Sequence, residues 1–245
     1  PMIMLNTIVA RQLKLFKEAV DQRIAKGNGK DEAILKELQK IIKESKKIRF
    51  EGNGYGEEWH KEAAKRGLSN LKDTPEALQV WDRKEVLDLF EEMGVLSPRE
   101  LAARKEIELE KYIKVIQIEA RTIEDLTQNH IIPVAIKYQN ELVNNIKGIE
   151  EVLGKTQAKS TTSAQRSILS DLILHMNQMQ EYSRTMLVNR KKANKIENIE
   201  ERAIAYRDTV LVYFDKISYH TNKLETLVDD EIWPFPKLRE ILYID

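Results

Sequence analysis

Residues 199–227 read I-E-E-R-A-I-A-Y-R-D-T-V-L-V-Y-F-D-K-I-S-Y-H-T-N-K-L-E-T-L. Ile199, Ala203, Tyr206, Val210, Tyr213, Ile217, His220, Leu224 and Leu227 recur at alternating steps of four and three. That spacing places one apolar seam along one side of an α-helix, the pattern of helices that pack side by side. The seam has no break, so the stretch predicts one long helix. Asn198 and Glu201 supply its N-terminal cap.

Two earlier stretches repeat the pattern. Ser97-Pro98-Arg99-Glu100 is a capping box with proline at the first helical position. After it, Leu109, Ile113, Ile116, Ala120, Ile123, Thr127, His130 and Val134 form a seam. Pro133 lacks an N–H and predicts a kink near Ile132. The second stretch follows Thr162 and Gln165, a candidate cap, and reads Leu169, Leu172, Met176, Met179, Ser183, Met186, Arg190, Ala193. Gly154 to Gln165 is small and polar, which predicts a flexible linker. Three long helices joined by short links predict an all-α fold, an antiparallel bundle with coiled-coil-like packing. The methionines of the second seam are expected in the core.

The N-terminal part is broken more often. Leu5, Ile8, Val9, Leu13, Phe16, Val20 and Ile24 form one stripe, stopped by Gly27-Asn28-Gly29. Ile34, Leu35, Leu38, Ile41 and Ile42 form another, so a helical hairpin is predicted. The stretch F-E-G-N-G-Y-G at 50–56 follows, then a short helix ending at Gly67, another begun by Thr74-Pro75 with the Thr74 hydroxyl as its N-cap, and a last one closed by Gly94. The expected division is residues 1–96, a hairpin with short helices, and residues 97–245, the long-helix bundle with its linker and a W-P-F-P tail.

Composition narrows the function. Lys plus Arg and Asp plus Glu are 40 each, so no net charge draws the chain to nucleic acid or anionic lipid. No apolar run reaches the roughly 18 residues of a membrane span. The absence of cysteine removes disulfides, thiol nucleophiles and thiolate metal sites. A cytoplasmic location is expected.

The motifs of catalysis do not assemble. Gly154-Lys155-Thr156 ends like a phosphate-binding loop, but the first glycine of that motif would fall on Ile149. Gly52 and Gly54 begin a dinucleotide fingerprint whose third glycine is Glu57. The 50–56 stretch therefore reads as a joint. Glu57 and His60 have the spacing of a di-iron ligand pair, once, where two are needed. His130 and His220 lie on apolar seams and read as core. Arg190, Lys191, Lys192 and Lys195 crowd a helix end, where cations complement the dipole. Trp233-Pro234-Phe235-Pro236 cannot sit inside a helix. Trp233 and Phe235 are the candidate packing or assembly anchor, either on this chain's own bundle or on a neighbour.

Several stretches resemble one family in order along nearly the whole chain. They are L-N-T-I-V-A at 5–10, R-F-E-G-N-G-Y at 49–55, E-A-A-K-R-G-L-S-N-L at 62–71 and T-P-E-A-L at 74–78. R-K-E-I-E-L-E-K-Y-I-K-V-I-Q-I-E-A-R at 104–121 and N-H-I-I-P-V-A-I-K-Y-Q-N at 129–140 continue the series. R-K-K-A-N at 190–194, R-A-I-A-Y at 202–206 and D-D-E-I-W-P-F-P-K-L-R-E at 229–240 complete it. The chain is similar to the C-terminal part of type III glutamine synthetases. The resemblance implies a parent that uses ATP and Mg or Mn ions to join ammonia to glutamate, built as stacked homo-oligomeric rings. It also implies that the metal-binding glutamates and phosphate-binding arginines lie on a β-barrel upstream of the L-N-T-I-V-A stretch. No catalytic, cofactor-binding or metal residue is therefore expected here, and the chain alone is expected to be inactive. The expected partners are that catalytic barrel and other subunits, with no nucleic acid and no membrane. The alternative is a stand-alone helical interaction or regulatory module.

Overall fold

The computed structural model describes residues 2–242, and the side chains of residues 238 and 239 are left aside. Among the described residues every regular element is helical. The helices are α1 (Met2–Ala25), α2 (Lys30–Glu44), α3 (Glu57–Lys65), α4 (Thr74–Gln79), α5 (Lys84–Glu92) and α6 (Pro98–Leu126). Next come α7 (Ile132–Leu153), α8 (Lys155–Thr161), α9 (Ser163–Ala193), α10 (Ile199–Thr209), α11 (Phe214–Leu227) and α12 (Leu238–Leu242). The contacts fall into two units, one ending at Glu108 and one beginning at Leu109. The boundary lies inside α6.

In the second unit α9 is the central helix, packed by α7, α10 and α11. Gln117 reaches Asn194 and Gln165 reaches Asn145, so α6 and α7 run antiparallel to α9. Asn189 reaches the Thr209 carbonyl and His175 meets His220, so α10 and α11 run antiparallel to α9 as well. Leu172, Met179, Ser183, Met186 and Ala193 of α9 are buried against Ala203, Tyr206, Val210, Ile217 and Leu224. The all-α bundle and the seams of α9 and of residues 199–227 stand as the spacing predicted.

Four details differ from the sequence reading. First, the last long helix is two helices. Asn198 caps it as expected, its Oδ1 accepting from the Glu200 and Glu201 amides. The helix then stops at Thr209, and a 3₁₀ turn spans Leu211–Tyr213. A continuous helix would pair the Tyr213 amide with the Thr209 carbonyl. Here Tyr213 donates to Val210, and Asn189 of α9 donates to Thr209 at 2.9 Å. The seam keeps its seven-residue step from Val210 to Ile217, so packing survives the break.

Second, residues 154–165 are helical rather than a flexible linker. Gly154 takes φ +77°, a left-handed conformation that glycine adopts readily, and turns α7 into α8. Ala158 and Thr162 are fully buried. Thr162 does not cap α9; its hydroxyl donates back to the Ala158 carbonyl at 2.7 Å and accepts from Arg166. Packing overrides the composition here.

Third, Pro133 does not kink a single seam. Thr127–Ile131 is a π-turn, with the Ile132 amide donating to the Thr127 carbonyl five residues back. The turn holds one extra residue. From its last residue onward the buried positions are Ile131, Ile132, Ala135, Leu142 and Ile146, while His130 is exposed and Val134 half-buried. The expected seam through His130 and Val134 has moved by one residue.

Fourth, Asp73 rather than Thr74 caps α4, its carboxylate accepting from the Glu76 amide. The Ser97–Glu100 capping box forms as read, with the Ser97 amide and hydroxyl both donating to Glu100 at 2.8 Å.

Candidate functional site

The first unit presents an unusual face. In α1 the inward residues are Thr7 and Val20, and in α2 they are Ala33 and Glu37. Thr7 donates to its own helix at the Ile3 carbonyl. Glu37 is held by Arg23 of α1 at 2.9 Å and by Lys40. The Arg23 hydrogen bond, opposed by burial and aided by Lys40, holds the Glu37 carboxyl below the usual carboxylate range. The hairpin thus closes on small and ion-paired groups.

Its large apolar residues point the other way. Leu5 is 58% exposed and Leu13 64%. Ile8 and Val9 lie between them, and Leu35, Leu38 and Ile42 of α2 are exposed too. The predicted stripes are real, but the described residues do not cover them. At the start of α1 the face leads into an apolar hollow of about 560 Å³, lined by Ile3, Leu78, Trp81, Phe90 and Leu101.

The F-E-G-N-G-Y-G stretch is a joint between α2 and α3. The Phe50 ring lies 4.7 Å from the Trp59 ring. Arg66 stacks over Trp59 and donates to the Lys47 and Arg49 carbonyls. A Cβ on Gly52 would meet the Phe50 ring at 2.8 Å, so the close approach of that ring favours glycine there.

Trp233 is 8% exposed. The tail before it turns on Asp229, which accepts from the Glu231 amide through its side chain and from the Trp233 amide through its carbonyl. Phe235 is half-buried, 6.3 Å from the Trp233 ring and 5.7 Å from the His130 ring of the π-turn. Lys237 donates to the Val228 carbonyl and pairs with Asp230.

Of the other singled-out residues, Glu57 and His60 gather no further ligand. His60 contacts Asn70. Among the described residues no three His, Cys, Asp or Glu side chains gather to hold a metal ion. No helix of the described residues is long and apolar enough to cross a membrane. His220 is not a lone core histidine. Its Nδ1 lies 2.9 Å from Nδ1 of His175, ringed by Tyr182 and Tyr219. Sequence reasoning missed this pair, because nothing local signals a partner 45 residues away.

Burial first, and His175 second, push the His220 imidazole below its ordinary value. A base with a depressed folded-state pKa favours folding while neutral. That contribution is complete above the unfolded value, about 6.5, and drains as pH falls through the folded value. The melting temperature is therefore expected to fall on acidification below about pH 6.5. The fall should be shallower in His220→Gln. An equal slope in both proteins would refute this account.

Comparison with known proteins follows the same lines. Residues 33–150 match the family described as the glutamine synthetase C-terminal domain. A glutamine synthetase of Bacteroides fragilis (strain YCH46) is 40% identical over 242 residues, 99% of this chain. A type-3 glutamine synthetase of Dictyostelium discoideum is 31% identical over 244 residues, the full chain. A glutamine synthetase of Butyrivibrio fibrisolvens is 27% identical over 237 residues, 95% of the chain. The chain spans about a third of the length of each of these relatives.

Proposed function

The chain belongs to the type III glutamine synthetase family, and on that premise we propose that it is the non-catalytic C-terminal helical region of such an enzyme, packing against the catalytic part and supporting oligomer assembly. The parent reaction in this reading activates the side-chain carboxylate of glutamate with ATP as an acyl phosphate, which ammonia then displaces. Divalent metal ions neutralise the phosphates in such chemistry. The residues here do not fit those groups, since no carboxylate or histidine cluster gathers among the described residues. No step is assigned to a residue of this chain.

The observation that carries the reading is the uncovered apolar face of α1 and α2. Each leucine or isoleucine moved fully out of water contributes about 1.5–3 kcal/mol, so a row of them left wet is costly. The occupant we assign is the rest of the same polypeptide. The relatives carry about two thirds of their length outside the matched region, enough for a further domain. A face that the domain itself leaves bare, beside so much additional chain, suits an intramolecular interface.

The test is Ile8→Asp with Leu13→Asp in the full-length protein. Two carboxylates forced into an apolar contact must either ionise unsolvated or stay protonated, and both oppose docking. The expected result is loss of assembled enzyme by size-exclusion chromatography and a parallel loss of glutamine formation. Leu174→Asp, at an exposed site on α9, is the control and should leave both intact. Wild-type assembly and activity in the double variant would overturn the proposal.

A further inference from the structure

Two helices of the second unit bring a pair of imidazoles together. His175 lies on α9 and His220 on α11, and their Nδ1 atoms stand 2.9 Å apart. The helix positions beneath them are firmly set. Leu172 and Met179 flank His175 by three and four residues, Ile217 and Leu224 flank His220 in the same way, and all four are buried. Residues at that spacing share a helix face, so the core fixes the register that aligns the two rings. Both histidines are only half-buried, so the pair is reached from water.

A neutral imidazole carries one N–H and one lone pair, so one Nδ1 proton shared with the other Nδ1 accounts for the contact. Nothing locks that arrangement. Among the described residues no carboxylate, carbonyl or hydroxyl holds either ring, and the ring neighbours are Tyr182 and Tyr219. With the shared proton moved to Nε2 of its own ring, two lone pairs border one gap. An ion bonded to both nitrogens at about 2.05 Å would hold them about 90° apart. Neighbouring ligands of a tetragonal Cu(II) or Ni(II) ion stand at that angle. Histidine χ2 is a broad torsion, so the rings can swing their lone pairs onto the ion without moving the helices. Burial and the neighbouring His175 both favour the neutral, ligating form of His220. The nearby cations are Lys216 and Lys223, whose ammonium groups lie over the rings of Tyr213 and Tyr219. Both lysines are exposed, and water around them keeps their repulsion of an ion small.

We propose that His175 and His220 chelate a late first-row divalent metal ion, Cu(II) most tightly, with water in the remaining positions. Copper heads the affinity order at nitrogen sites and accepts the tetragonal angle. The ion ties α9 to α11 at the place where the hydrogen bond between the histidines now does. The site does not rest on the docking face of α1 and α2 or on the role proposed for that face.

The experiment adds one equivalent of Cu(II) to the full-length protein in an excess of Mg(II), which prefers oxygen ligands, and records the electron paramagnetic resonance spectrum. A tetragonal spectrum with splitting from two imidazole nitrogens is expected. His175→Gln and His220→Gln should each remove that splitting and weaken Cu(II) binding about a hundredfold, because even a residue that only supports a metal ligand is worth about ten to a hundredfold. Circular dichroism with a chelator present checks that each variant keeps its helices. His60→Gln, in the first unit, should leave the spectrum unchanged. In the wild type Ni(II) should also raise the melting temperature, as a ligand of the folded state does, and should not in the two variants. Absence of nitrogen splitting in the wild type, displacement of Cu(II) by the Mg(II), or an unchanged spectrum in both histidine variants overturns the site.

Discussion

Trp233→Ala is expected to destabilise the protein by about 3 kcal/mol, the lower part of the range for removing a buried large aromatic. The indole is nearly buried although it sits in a turn with no helix to hold it. Pro234 and Pro236 remove two amides and stiffen the chain on both sides, so little ordering entropy opposes its docking. The Phe235 ring edges onto it and reaches His130 at the π-turn. Truncation therefore opens a void and frees the tail. Trp233→Phe should recover most of the loss, because a smaller ring still fills part of the space. Phe235→Ala, at a half-buried position, should cost less. Denaturant unfolding measures all three. In the full-length enzyme, replacing both aromatics should lower assembly along with stability; unchanged assembly and stability would remove the tail from any anchoring role.

The sequence was most informative where one helix face is buried along its whole length within this chain. Leu172, Met179, Met186 and Ala193 on one helix, and Ala203, Tyr206, Val210, Ile217 and Leu224 along the next two helices and the turn between them, were readable from spacing alone. The same periodicity misled in α1. Leu5, Ile8, Val9 and Leu13 form a true amphipathic stripe, but periodicity reports that a face is apolar, not what covers it. Composition misled at 154–165, where two small residues, Ala158 and Thr162, decide the helix by fitting into the core. The histidine pair lay outside reach for another reason. It joins residues on separate helices, and only the antiparallel register of α9 and α11 brings them together. The family resemblance bridged part of that gap, since it drew on whole stretches rather than on local spacing.

Deleting Gln128 and replacing Pro133 with alanine in the same chain should leave stability within about 1 kcal/mol of the original. The reason lies in the seam. Ile113, Ala120 and Thr127 are buried at seven-residue steps, and Ala135 and Leu142 resume that step after a gap of eight. The π-turn absorbs the additional residue. Removing one residue inside it returns the whole seam to a single heptad series, with every buried side chain still facing the core. Pro133 must go as well, because a regular helix has no place for its ring against the preceding turn. Deleting Lys137 instead, an exposed residue in the regular part of α7, has the opposite consequence. It rotates everything beyond it by about 100° and turns Leu142 and Ile146 out of the core. Two apolar side chains lost from burial amount to about 4 kcal/mol. The two deletions differ by only nine positions in one helix, and helix propensity distinguishes them little. If thermal unfolding shows the same loss for both, the π-turn is a local accommodation of Pro133 and not the device that keeps two stretches of one long helix in register with α9.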